Sequence, residues 1–199
     1  MKESVLYIEN QLFPPITYMS TAIKALHLQM SPYDRYSKMG FRNRYRILDS
    51  NGVLTQTVPL AGGRNKQQPA GMVCIDYSQP WQVRHWRTLV SCYNRSPFFL
   101  YYEPALQQFF ERRFERLWDM NLEAWNLLGK MLKHPWEIKT MEKHEAPAAA
   151  LINPIGQQLQ PYQQVFGTHF HPDLSVLDLI FNMGPSAREY LLNQPQTGQ

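Results

Sequence analysis

A chain of 199 residues, 44% hydrophobic and 13% aromatic, is long enough to bury one substantial core and falls in the size range of a single domain, taken as residues 1–199. Its net charge of +4 is unevenly spread: residues 34–95 hold ten Lys or Arg against Asp34, Asp49 and Asp76, whereas the remainder is net acidic. That asymmetry points to an anionic partner, the overall balance is too modest to favour nucleic acid, and no apolar run reaches membrane-spanning length.

Val5 to Ile8 reads as a buried strand, Pro14-Pro15 as a stop, and Ile16 to Leu26 as a helix with Ile16, Met19, Ile23 and Leu26 on one side. A short strand at His27 to Met30 would complete a βαβ unit. Arg44 to Leu48 and Leu54 to Leu60, joined through Asp49-Ser-Asn-Gly52, read as a β-hairpin whose turn is Asn51-Gly52. In Gly40-Phe-Arg-Asn-Arg-Tyr-Arg-Ile-Leu48, Arg42, Arg44 and Arg46 alternate at the strand period, so one face would carry three guanidinium groups. Arg presents a rigid fork matched to phosphate and carboxylate oxygens; a solvated edge strand is the plainer alternative. Residues 61–71 have breakers and no periodicity, predicting a mobile loop without a phosphate-loop pattern.

From Pro80 to Arg95 a helix is predicted with Trp86, Leu89, Val90 and Tyr93 on one face and Arg84, Arg87, Ser91 and Arg95 on the other, His85 flanking the basic face. Helices are expected at Pro104 to Trp118 and Asn121 to Leu132, a strand at Trp136 to Met141, and an irregular crossing at 145–160. Leu174 to Met183 is apolar almost all round, yet Ser175, Asp178 and Asn182 form a narrow polar stripe. Such a stripe is either an internal hydrogen-bond seam or the wall of a pocket. Gly184-Pro185 ends that helix, and Ser186-Ala-Arg-Glu189 reads as a capping box for a short final one.

His169-Phe-His171-Pro-Asp173 resembles the start of a His-x-His-x-Asp-His metal run, but Leu174 stands where the next His belongs, so no metal is expected and Asp173 reads as a helix N-cap. The two cysteines, Cys74 and Cys92, read as buried free thiols of a reducing compartment. No nucleophile elbow, Walker loop, dinucleotide fingerprint or Cys-x-x-Cys pair is present, and no cofactor is expected.

Several segments together resemble the WbqC-like proteins: Tyr33-Asp-Arg-Tyr-Ser-Lys38 with Phe41-Arg-Asn-Arg44, Trp81-x-x-x-His85-Trp86-Arg87, Tyr93-Asn-x-Ser-Pro-Phe-Phe99, Leu117-x-Asp-x-Asn121, and Leu174-Ser-x-Leu-Asp-Leu-x-Phe-Asn-x-Gly-Pro185. The likeness runs from Phe13 to Leu132 and from Tyr162 to Leu191. Gln11-Leu-Phe-Pro-Pro-Ile-Thr-Tyr18 departs from the Gln-Pro-x-Tyr-like signature of many relatives. The family is named from its occurrence in O-antigen gene clusters, so the resemblance implies cytoplasmic work on activated sugars or their acceptors.

The expectation is therefore a single α/β domain with a mixed sheet and several packed helices, transferring a group to or from a phosphorylated ligand such as a nucleotide-activated sugar. Lys38, Arg42, Arg44, Arg46, Arg84 and Arg87 are assigned to anionic groups, and Asn43, Ser175 and Asn182 to sugar hydroxyls or an amine. His85 or Asp178 is assigned to proton transfer, with an Arg as the partner of Asp178. A non-catalytic interaction module and a weak single-stranded nucleic-acid binder, with Tyr33, Tyr36, Phe41 and Tyr45 as stacking surfaces, are the alternatives.

Overall fold

The computed structural model describes residues 5–37, 40–62, 68–142, 158–167 and 169–195. Most of the predicted crossing at 145–160, part of the predicted loop at 61–71, and Lys38 lie outside the described residues. The class is α/β: a parallel three-stranded sheet, an antiparallel hairpin and helices packed against them. The parallel and antiparallel pairings form two sheets rather than one.

Strand β1 (Val5–Tyr7) leads through a buried loop to helix α1 (Ile16–Ala22) and back to β2 (His27–Met30), which lies parallel to β1 with Tyr7 opposite Gln29. This is the expected βαβ unit. Val5 is exposed, so β1 is buried at its carboxyl end alone. Leu26 is exposed too, because α1 stops at Ala22 and the chain leaves the helix axis through tight turns before Leu26 is reached. The predicted strand at 136–141 is β5 (Glu137–Thr140), which pairs with the other edge of β2 and leaves β2 central.

The hairpin is β3 (Arg44–Asp49) and β4 (Gly52–Thr57), with Gly52 at φ 118° in the turn. Tyr45 and Ile47 point into the core, whereas Arg44 and Arg46 are half-buried on the other face. Helix α2 spans Trp81–Tyr93 and α3 spans Phe99–Glu111. The predicted helix at 104–118 thus begins earlier and ends earlier. Arg112 turns to an extended conformation, the Tyr77 hydroxyl bonds both N–H and C=O of Phe114, and α4 (Leu117–Leu132) starts anew.

Near the carboxyl end, α5 (Val176–Met183) is capped by Ser175, whose hydroxyl accepts from Leu177 N. Asp173 is therefore not the cap. It holds a positive φ of 60° and bonds Thr17 and Arg46 instead. Gly184 closes α5 at φ 53°, and α6 (Ala187–Leu192) follows without a side-chain cap from Ser186, whose backbone is already helical. The core joins α1, β3 and all the later helices through Phe13, Tyr45, Phe99, Trp125 and Phe181, each essentially sealed from solvent.

Candidate functional site

In parallel sheets, ligands collect beyond the carboxyl ends of the strands, where backbone groups and loops converge. Here the paired strands β1 and β2 release residues 8–15 and 31–37, with residues 40–43 leading into β3. The first loop is pinned from α4, where Asn121 and Trp125 share a face at i and i+4. Asn121 Nδ2 donates to Asn10 O (2.9 Å) and Arg42 O (2.8 Å), and Trp125 Nε1 donates to Gln11 O (3.1 Å). Tyr18 on α1 brackets Glu9: its hydroxyl accepts from Glu9 N (2.6 Å) and donates to Glu9 O (3.2 Å). The second loop is held at Asp34, whose carbonyl accepts from Ala70 N (2.8 Å). Gly71 packs so tightly on Pro32 that an added Cβ would fall 2.7 Å from the proline side chain.

These loops build one cluster. Arg42 Nη2 stands 3.1 Å from Glu9 Oε1 and 3.6 Å from Asp34 Oδ2, Tyr7 donates to Asp34 Oδ1 (2.6 Å), and Gln11 Nε2 donates to Glu9 Oε2 (3.3 Å). Burial, with the Asp34 carboxylate beside it, raises the Tyr7 pKa, so Tyr7 stays a donor. The Arg42 side chain is only 4% exposed, against 23% for Glu9 and 24% for Asp34. Arg42 is thus the floor and the carboxylates the rim.

Unmet hydrogen-bonding capacity is found on Arg42 itself and on residues bonded to these loops. Arg42 Nε and Nη1, Asn10 Oδ1, Gln11 Oε1 and Asn121 Oδ1 are all buried without a partner. Such atoms are rare in folded proteins, and each costs about 1–3 kcal/mol unless water or a ligand meets it. All five belong to residues tied to one another, and all five are closed to solvent.

The residues singled out in the sequence divide among several places. Arg42 lies in this cluster as counter-ion to two carboxylates, and Arg44 is close enough for both guanidinium charges to act on the Tyr36 phenol. Asn43 is consumed internally, accepting from Tyr36 OH (2.9 Å) and donating to Val58 O (2.9 Å). Arg46 pairs with Asp173 at 2.9 Å and lies over the Phe41 ring. Arg84 and Arg87 are exposed on the solvent face of α2, Arg84 bonded to Gln79 and Arg87 beside a shallow cleft of about 300 Å³ with Asp49, Ser91 and Phe166.

His85 faces inward, packed against Trp81, Tyr45 and Phe110. Its Nδ1 lies 3.3 Å from Tyr45 OH, and the Thr57 carbonyl is its other partner. Burial lowers its pKa to about 4. Loss of solvent therefore favours the neutral imidazole. Asp178, also fully buried, accepts from Tyr93 OH (2.8 Å), Tyr162 OH (2.5 Å) and Gln164 Nε2 (3.4 Å). Burial raises its pKa, the phenol and amide hydrogen bonds pulling the other way. The expected Arg is not among these partners. Ser175 donates to Phe13 O and Asn182 donates to Asp178 O, so the stripe is a hydrogen-bond seam.

Glu9, Asn10, Gln11, Asp34 and Asn121 were absent from the sequence-based site. Asp34 and Asn121 stand within the resemblance motifs, and Gln11 and Tyr18 within the N-terminal signature, which was the available signal. Among the described residues no three His, Cys, Asp or Glu side chains gather to hold a metal ion, and no helix is long and apolar enough to cross a membrane. The family model describing the WbqC-like protein family matches residues 10–152, which include every member of the cluster except Tyr7 and Glu9, immediately upstream. No curated protein and no solved structure matches the chain.

Proposed function

The chain belongs to the WbqC-like protein family, and on that premise we propose that it is a cytoplasmic enzyme of surface-polysaccharide biosynthesis that binds a nucleotide-activated sugar and transfers a group to or from it. The sugar occupies the carboxyl edge of β1 and β2. The observation that supports this reading is the buried Arg42 bridging the partly exposed Glu9 and Asp34, with two of its own guanidinium nitrogens and the oxygen of the neighbouring Gln11 amide unpaired within the protein. A sugar hydroxyl donates and accepts at once, so a polyhydroxylated ring meets both kinds of unpaired atom.

Arg44 and Lys38, which border the same loop in sequence, are assigned to the phosphates. Glu9, held by Tyr18 through its backbone and by Gln11 and Arg42 through its carboxylate, is the group assigned to proton transfer. His85 and Asp178 leave that role because core partners occupy them. The nucleic-acid alternative is weakened by the burial of Tyr36 and Tyr45 and by Arg46 lying over Phe41. Thermal-shift screening against nucleotide sugars tests the reading: a ligand of the native state raises the midpoint. A panel of uridine, guanosine, cytidine and thymidine diphosphate sugars that leaves it unmoved contradicts the reading.

A further inference from the structure

We propose that the exposed face of α3 is the contact surface of a two-fold dimer, covered by a second copy of this chain. Leu100 and Tyr101 are 68% and 75% exposed, the most of any large apolar side chain among the described residues. With Pro104, Ala105 and Gln108, also exposed, they fall at i, i+1, i+4, i+5 and i+8, and so form one stripe along α3. The stripe runs into a cleft of about 600 Å³ between α3 and α4, lined by Ala105, Gln108, Phe109 and Leu127. A projection and a hollow thus lie side by side on one helix. None of these residues belongs to the Glu9, Asp34 and Arg42 cluster.

Their spacing suits a second copy in particular. Tyr101 and Gln108 lie two turns apart, about 10 Å along the helix axis. A two-fold axis crossing α3 between Pro104 and Ala105 sets two such helices antiparallel. Tyr101 of each copy then comes opposite Gln108 of the other, and Leu100 opposite Phe109, so each projection enters the facing hollow. The small Ala105 at the crossing lets the axes approach to about 8 Å. Pro104 has no N–H to give the Leu100 carbonyl, and the exposed Gln108 of the facing copy brings an amide donor to the same turn. Charge agrees with this occupant. The rim holds Glu111 and Glu123 with Arg112 and Lys130, two acids and two bases, so copies of a chain whose net charge is +4 meet there without repulsion. The exposed face of α2, with Arg84, Arg87 and Arg95, would set like charges together.

Sedimentation equilibrium of the wild-type protein between about 1 and 200 µM, with a thiol reductant present to keep Cys74 and Cys92 from linking copies, tests this. The mass is expected to rise toward twice that of the monomer, with a Kd in the micromolar range, as fits a contact at the small end of specific interfaces. Leu100→Glu and Tyr101→Glu, checked for folding by circular dichroism, are each expected to weaken association about tenfold or more. Val53→Glu, at an exposed apolar residue of the hairpin, is expected to leave it unchanged. Tyr101→Lys and Gln108→Glu, each weakened alone, are expected to associate more tightly when mixed, because residue 101 of one copy faces residue 108 of the other. A monomer throughout the range, which leaves the stripe to a different kind of partner, overturns the proposal. So does a dimer that is indifferent to both Leu100→Glu and Tyr101→Glu, or one that Val53→Glu dissolves. A mixture no tighter than its components overturns the two-fold arrangement.

Discussion

Replacing Asp178 by Asn keeps the shape of the side chain while inverting its hydrogen bonding, and the structure sets the size of the effect. Three donors converge on the carboxylate: Tyr93 and Tyr162 hydroxyls and the Gln164 amide. An Asn side chain offers one oxygen and turns the other position into a donor, so at least one phenol faces an N–H. Losing a hydrogen bond to a charged acceptor costs about 1.5–3 kcal/mol, and a stranded buried donor about 1–3 more. Release from burying a charge offsets part of this, leaving a net loss of about 2–4 kcal/mol. For a chain of this size that lowers Tm by roughly 5 to 15 °C. Burial raises the Asp178 pKa, so its contribution is greatest below the ordinary carboxylate range and declines as pH rises. The gap between wild type and variant should therefore widen on acidification. Urea denaturation at pH 7 and pH 5 measures both effects. A variant with unchanged stability but lost sugar binding would refute the seam and restore Asp178 to the ligand site.

His85 titrates at about 4 in the folded protein against 6.5 ordinarily. Its share of stability is therefore complete above about 6.5 and lost as pH falls toward 4, by up to about 3 kcal/mol. Denaturation curves of wild type and His85→Gln should diverge in slope across that window, and parallel acid limbs would contradict the burial argument. Gly184→Ala places a Cβ 2.5 Å from Phe98 Cγ at a positive φ, so a loss of about 2–4 kcal/mol is expected; a change under about 0.5 kcal/mol would show that Phe98 yields freely. Arg44→Ala is expected to weaken binding of a nucleotide sugar by about 1.5–3 kcal/mol with little loss of fold, whereas Arg84→Ala and Arg87→Ala leave it unchanged. Titration calorimetry decides between the two surfaces.

Local signals were readable in the sequence wherever the cause was itself local. The βαβ order, the Asn51-Gly52 hairpin and the Gly184 stop depend on periodicity and backbone freedom, and all three are present. The orientation of α2 was less legible. Its stripe holds at Leu89 and Tyr93, both sealed, and Trp86 and Val90 pack partly buried against the core, but burial extends to Trp81, His85 and Cys92, where the hairpin beneath offers Tyr45 as a partner for a histidine. The arginine row was recognised by its spacing, but Arg42 serves Glu9 of the preceding loop and Asp34 earlier in its own, and sequence spacing carries no information about such partners. Asn121 illustrates the same limit: its amide closes the site across 111 and 79 residues of chain.

The most direct test of the assigned site is a backbone-amide chemical-shift titration of the wild-type protein with uridine diphosphate glucose. The largest changes are expected at residues 7–11, 34–37, 40–44 and Asn121, with α5 and the exposed face of α2 unmoved. Changes centred on Arg84, Arg87 and Ser91, with Glu9 and Asp34 silent, would contradict the assignment.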